Sequence, residues 1–269
     1  MNIDKLKQLC KKIRKEILIT VHRAQSGHPG GSLSAVELLA ALYFYKMNHN
    51  PKNPKWPGRD RFIMSKGHAT PAIYAVLAEA GYFPKKELEN FRKINSLLQG
   101  HVDIKVPGIE MSAGSLGTGL SFANGVELAK RLDKKNYNVY VMLGDGEVEE
   151  GEIWESAMTS AFHKLNVKAI LDYNKVQQTG FVKDIMSIEP IKEKWKAFGW
   201  HTIEIDGHDL KQIIKALDDA DKIKNKPVII IANTVKGKGV SFMEFNNKFH
   251  GKAPNDEELK KALGEIEKS

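Results

Sequence analysis

Asp145 and Asn174 are oxygen-donor side chains 29 positions apart, and each follows an apolar run of strand length, Val139 to Leu143 and Val167 to Leu171. Between them Ile153, Trp154, Ala157, Met158 and Ala161 recur at helical spacing over Glu149 to His163. Strand, helix, strand makes a right-handed crossover unit, which puts both residues at carboxyl ends of strands, the edge where open α/β sheets bind ligands. A carboxylate, an amide oxygen and a loop carbonyl are hard ligands that suit Mg²⁺ or Ca²⁺, with phosphate oxygens completing the shell. Gly144 and Gly146 leave room for close backbone approach, and Gly146 precedes a helix whose N-terminal amides attract anions. Asp-Gly or Tyr-Asn alone is an ordinary turn signal. At equivalent ends of one crossover unit, the two point to a diphosphate and its metal ion.

Nine histidines are present, and His28, His68, His101, His208 and His250 each touch a glycine. Imidazole titrates near neutrality, so several on loops that converge on one sheet edge would make a proton-transfer set. His22, His49, His163 and His201 are assigned to structure. So is His208, read as a turn residue ahead of a helix capped by Asp209.

The elements that must position these groups alternate. An N-terminal helix over Asp4 to Gln25 carries Leu6, Leu9, Ile13 and Ile17 on one face. Ser34 and Glu37 form a capping-box pattern, which starts a helix at Ser34 that runs to Met47 and ends the glycine-rich loop at Leu33. Thr70 reads as an N-cap, Pro71 as the first helical residue and Gly81 as a terminator. Further helices are expected at 119–132, at 190–198 and from Asp209, and strands within Arg61 to Ser65, at 202–205 and at 228–232. Residues 234–256 form a loop long enough to be functional, before a polar terminal helix. The fold class is therefore α/β, a doubly wound, mainly parallel sheet with helices on both faces.

Gly144-Asp145-Gly146 followed by Asn174 resembles the cofactor motif of thiamine diphosphate enzymes. Four other segments narrow the resemblance to transketolase: SGHPGGSLSAVE from Ser26, SKGHATPAIYAVLAEAGY from Ser65, GHVD with SAGSLGTGLSFANG from Gly100 and Ser112, and TVKGKGVSFMEFNNKFHG from Thr234. The resemblance implies the thiamine diphosphate-binding fold. It implies that Asp145, Asn174 and the Val176 carbonyl hold Mg²⁺, with Gly144, Gly146 and His68 at the diphosphate and the Gly114, Ser115, Leu116 backbone against the cofactor. His28 and His250 would then act at substrate hydroxyls, His250 also touching the cofactor, and His101 near the reactive end of the donor. Glu150 matches a carboxylate facing the partner subunit's catalytic Glu.

That catalytic Glu belongs to a second domain of the family, and no segment after His250 matches it. The expectation is one diphosphate-binding domain over 1–269, with the pyrimidine-binding and C-terminal domains on a partner chain in an α₂β₂ assembly. The implied activity is transfer of a two-carbon ketol unit between sugar phosphates in pentose phosphate metabolism. The alternatives are a subunit for unusual sugars, a deoxyxylulose phosphate synthase-like or 2-oxo acid dehydrogenase subunit, and a non-catalytic cofactor-binding homologue. Val102 stands where the family usually places Pro and Thr179 where Asp is common, which leaves affinity and sugar preference open.

Composition excludes other classes. A single cysteine, Cys10, rules out a disulfide framework and a Cys-rich zinc site. The net charge of +8 is spread with acids along helices, without an aromatic-interleaved strip, so no nucleic-acid partner is expected. No apolar run approaches membrane length and no signal peptide is recognised, so neither a membrane nor export is expected, and the location reads as cytoplasmic. Gly114 to Gly119 has the wrong glycine order for a dinucleotide fingerprint, and a P-loop is absent.

Overall fold

The computed structural model describes residues 2–268. Strands β1 (Arg61–Met64), β2 (Val139–Gly144), β3 (Val167–Tyr173), β4 (His201–Asp206) and β5 (Val228–Asn233) form one parallel sheet in the order β1-β2-β3-β5-β4. Every residue of β2 and β3 is buried, as central parallel strands covered on both faces require. Side chains alternate between two cores. Tyr140, Met142, Ile170 and Ile230 join α1 (Ile3–Ala24), α3 (Val36–Ala41), α4 (Thr70–Ala80), α9 (Leu210–Lys222) and α10 (Asp256–Lys268). Val141, Leu143, Ala169 and Ile229 join α5 (Thr118–Leu132), α6 (Gly151–Phe162), the short α7 (Val182–Ile185) and α8 (Ile191–Ala197) on the other face. Among the described residues no helix is long and apolar enough to cross a membrane.

Register aligns the carboxyl ends. Gly144 lies beside Asp172, Asp172 beside Ala232, and Asp206 beside Asn233. Asp145, Asn174 and Thr234 therefore leave the sheet along a common edge.

Several local readings are corrected. Helix begins inside the glycine-rich segment, as the short α2 (Pro29–Leu33), and Ser34 caps nothing: its hydroxyl is within bonding distance of Asp172 Oδ2 (2.7 Å) and the Gly31 carbonyl (3.2 Å). Glu37 likewise pairs with Arg14 instead of reaching back to a backbone N–H. A capping box belongs at a solvated helix start, and here both side chains are buried among partners distant in sequence. Thr70 is the first helical residue, and its hydroxyl donates to the Gly100 carbonyl, while Gly81 ends the helix at φ +90° as expected. The helix leading to Met47 is α-helical only to Ala41 and closes in a π-turn over Leu42–Lys46. The segment after Asp145 is first a 3₁₀ turn, Gly146–Glu149, and the long final loop contains another at Asn247–His250.

Candidate active site

The Asp145 carboxylate is gripped from both arms of the crossover. It accepts from the Gly146 amide at 2.9 Å and from the Lys175 amide at 2.5 Å. The Asn174 amide oxygen accepts from the Val176 N–H at 3.2 Å. Asp145, Asn174, Val176, Gly144, Gly146 and His68 line a cleft of about 290 Å³, with Leu116, Glu150 and His250 at its other walls. Gly114 and Ser115 stand outside it, exposed on the loop before α5.

Charge is concentrated in the walls of this cleft and just behind them. Lys66 Nζ lies 2.5 Å from Asp172 Oδ2 and 3.1 Å from the Gly31 carbonyl, with both side chains fully enclosed. Asp172 also accepts from the Ser34 and Thr234 hydroxyls. Burial works to raise its pKa, but Lys66 and these donors hold it below the usual carboxylate value. Asp145 is pushed up to about 6, by burial first and by the Asp172 charge second, against Lys66 and the two amides. Lys236 Nζ donates to the Val176 and Gln177 carbonyls at 2.8 and 3.0 Å and lies 3.0 Å from His250 Nδ1; burial lowers it to about 8. Buried Glu147 receives the Gly117 and Gly144 amides, each at 3.0 Å, and the Ser65 hydroxyl, fixing the glycines that flank the cleft.

Sequence reading missed Lys66, Asp172, Lys236 and Glu147. The available signal was Asp172, a carboxylate directly after the apolar Ala169, Ile170 and Leu171 of a central strand, where an unpaired charge is untenable.

Four of the glycine-flanked histidines meet. Ring centroids lie 5.2 Å apart for His28 and His68, 5.3 Å for His28 and His250, 5.3 Å for His68 and His250, and 6.4 Å for His28 and His101. Burial, then Arg92, holds His28 down to about 4; burial, then Lys236, holds His250 down to about 3. His68 and His101 are also lowered, mainly by burial. The set is neutral at neutral pH, so each ring offers one donor and one acceptor. His28 Nδ1 is buried with no partner. The fifth, His208, lies apart and bonds Glu37 and the Val235 N–H.

The cleft fits a diphosphate. A Cβ at Gly144 or Gly146 would meet nothing nearer than 3.7 or 3.4 Å, and neither has positive φ, so the fold itself does not require glycine at either position. The space they leave belongs to the cleft. Among the described residues no group of three or more His, Cys, Asp or Glu side chains is poised for a metal. Asp145, Asn174 and Val176 line the cleft together, and a carboxylate, an amide oxygen and a main-chain carbonyl are the hard oxygen types that Mg²⁺ takes alongside phosphate and water.

Residues 5–266 match the family model described as transketolase, thiamine diphosphate binding domain. The chain is 45% identical over 258 residues to a 6-deoxy-6-sulfo-D-fructose transketolase subunit of Clostridium sp. (strain MSTE9), covering 95% of this chain and 94% of that one. It is 40% identical over 267 residues to an apulose-4-phosphate transketolase subunit of Phocaeicola vulgatus, covering 99% and 95%. Mouse transketolase is 41% identical over 93% of this chain, which spans 40% of that protein. The crystal structure of Campylobacter jejuni transketolase superposes with a TM-score of 0.93 at 35% identity, over 99% of this chain and 43% of that one. The chain therefore spans about two-fifths of those longer transketolases and nearly the whole of the relatives named as subunits. It belongs to the transketolase family, as a thiamine diphosphate-binding transketolase subunit.

Proposed function

We propose that this chain binds thiamine diphosphate and Mg²⁺ in the 290 Å³ cleft and, with a second subunit, transfers a two-carbon ketol unit from a ketose bearing a terminal anionic group to an aldose phosphate. The observation that carries this reading is the convergence, at one sheet edge, of the Asp145, Asn174 and Val176 oxygens with four neutral histidines. Asp145, Asn174 and the Val176 carbonyl would hold the metal, and Gly144, Gly146, His68 and Lys236 would face the diphosphate. Bound thiamine diphosphate supplies the electron sink for an acyl-anion equivalent, which no side chain offers.

The protein's share is proton handling and placement. His28, with its unpartnered Nδ1, and His250 are suited to bonding sugar hydroxyls and moving their protons, and His101 to orienting the donor's reactive end. Arg92, whose charge bears on both His28 and His101, favours an anionic substrate. Leu116 and exposed Glu150 line the cleft, where a partner's acid would enter, and Gly114 and Ser115 on the exposed loop before Leu116 would meet the cofactor from outside it.

A partner is supported by what this chain leaves uncovered. Phe122 on α5 and Met158 and Phe162 on α6 are exposed, Phe162 by 81%, on two helices that pack together. Relatives of matching length that are named as transketolase subunits support a separate partner subunit; on this reading the partner carries the pyrimidine-binding and C-terminal domains, in an α₂β₂ assembly.

Relatives named for sulfofructose and apulose phosphate favour an unusual sugar over the pentose phosphates that the motifs suggested. The test is turnover by the chain alone and with its partner, using 6-deoxy-6-sulfofructose, apulose 4-phosphate and xylulose 5-phosphate as donors. Turnover only with the partner, fastest on one of the first two, is the expected result. Unaided turnover, or a preference for xylulose 5-phosphate, overturns the corresponding half of the proposal.

A further inference from the structure

Residues 235–238 leave the end of β5 and carry Lys236 into the cleft, while three side chains outside the cleft hold the same stretch from behind. The Val235 N–H donates to His208 Nε2 at 2.9 Å. His208 Nδ1 lies 2.9 Å from Glu37 Oε2, and Arg14 meets the two Glu37 oxygens at 2.6 and 2.7 Å. Arg14 Nε then donates to the Lys238 carbonyl at 3.1 Å. A backbone N–H can only donate, so Nε2 carries the lone pair and Nδ1 carries the proton that Glu37 accepts. One tautomer is fixed. Arg14 and Glu37 are each 7% exposed, and Arg14 and His208 bring Glu37 down to about 2 against the upward effect of burial, so it stays ionised.

The two attachment points, the amide of Val235 and the carbonyl of Lys238, bracket Lys236. Its ammonium is thereby fixed against the Val176 carbonyl and His250 Nδ1. We infer that Arg14, Glu37 and His208 are positioning residues for Lys236, setting cofactor affinity from outside the cleft without touching the cofactor. The affinity part rests on the cleft being the cofactor site, and the positioning part does not.

Amine labelling of the unliganded chain, read by mass spectrometry, separates this role from plain stability. Lys236 and Lys66 are both buried, at 2% and 1% exposure, but only Lys236 sits on the bracketed stretch. In His208→Leu, Lys236 becomes labelled while Lys66 stays protected. In His208→Gln, whose amide supplies an acceptor and a donor in place of Nε2 and Nδ1–H, both stay protected. Arg14→Lys keeps a cation beside Glu37 and loses the donor to Lys238, so it gives the same pattern at smaller amplitude and serves if the Leu variant does not fold. Calorimetric titration with thiamine diphosphate and Mg²⁺ then shows about a 10–100-fold loss of affinity in His208→Leu and none in His208→Gln. Lys236 protected in both the Leu and Lys variants, or Lys66 exposed along with it, overturns the inference. The expected labelling pattern with no cofactor binding by the unmodified protein, partner included, leaves the positioning role standing and sinks the functional reading instead.

Discussion

The two edges of the sheet both bury charge, and they treat it differently. At the amino edge Asp60 receives the Asn138 and Asn48 amides at 2.6 and 2.8 Å, and Lys168 meets Asp221 and the Asn138 side chain, each at 2.6 Å. Lys46 adds Asp218 and Asp221. Opposite charges are paired there, although the Tyr140 hydroxyl beside Lys168 is buried without a partner. At the carboxyl edge Asp172 takes the Lys66 ammonium, leaving Asp145 with two backbone amides and a pKa of about 6, while His28 Nδ1 has no partner. A buried carboxylate beside a like charge, lining an open cleft, is where a cation and its anionic ligand belong.

The largest effect should come from removing the centre of that open edge. Asp145→Ala loses thiamine diphosphate and Mg²⁺ affinity by more than about 100-fold, beyond what a merely supporting residue costs, and remains folded by circular dichroism. Binding that survived the change would place the cofactor elsewhere.

Next in size is His28→Gln, which with the partner present lowers kcat by about 10²–10⁴-fold and leaves cofactor affinity unchanged. Steady-state kinetics beside a binding titration separates the two quantities. An effect on binding alone would move His28 from the sugar to the cofactor.

The converse change lies at the closed edge. Asp60→Ala strands two amides, costing about 2–4 kcal/mol in urea unfolding, with no change in cofactor affinity. If affinity fell as well, the edges would not be independent and the contrast would fail.

The smallest effect is the pH response. His28 and His250 are held near 4 and 3 in the folded chain against about 6.5 unfolded, so the unfolded state binds more protons in between. Their contribution to stability is complete above pH 6.5 and is lost as pH falls toward 4 and 3. Asp145, raised to about 6, acts in the opposite direction below that pH, so the comparison is made between variants. Between pH 7.5 and 5, His28→Gln should lose less Tm than the unmodified protein, by on the order of 2–4 °C. Equal losses would show that His28 is not held neutral by the fold.

The open edge was legible where the chemistry is local. Asp145 and Asn174 close two apolar runs whose strand character needs no partner to be recognised, and four histidines stand beside glycines at loop turns. The closed part of the site was not legible, because burial of a lysine depends on which strands become neighbours. Lys66 reaches Asp172 across 106 positions, and Glu37 reaches His208 across 171. Ser34 and Glu37 show the same limit from the other side: their spacing suits a helix cap, but enclosed partners claim both side chains. Helix and strand bodies follow periodicity, whereas the order β3-β5-β4 comes from packing that no single segment encodes.

The central claim is that the carboxyl edge is a thiamine diphosphate–Mg²⁺ site. Calorimetric titration of both into the unmodified chain and Asp145→Ala, each alone and with the partner present, tests it most directly. Binding by the unmodified chain, strengthened by the partner and absent in the variant, is the result predicted. No binding by the unmodified chain even with a folded partner, or equal binding by the variant, would contradict it.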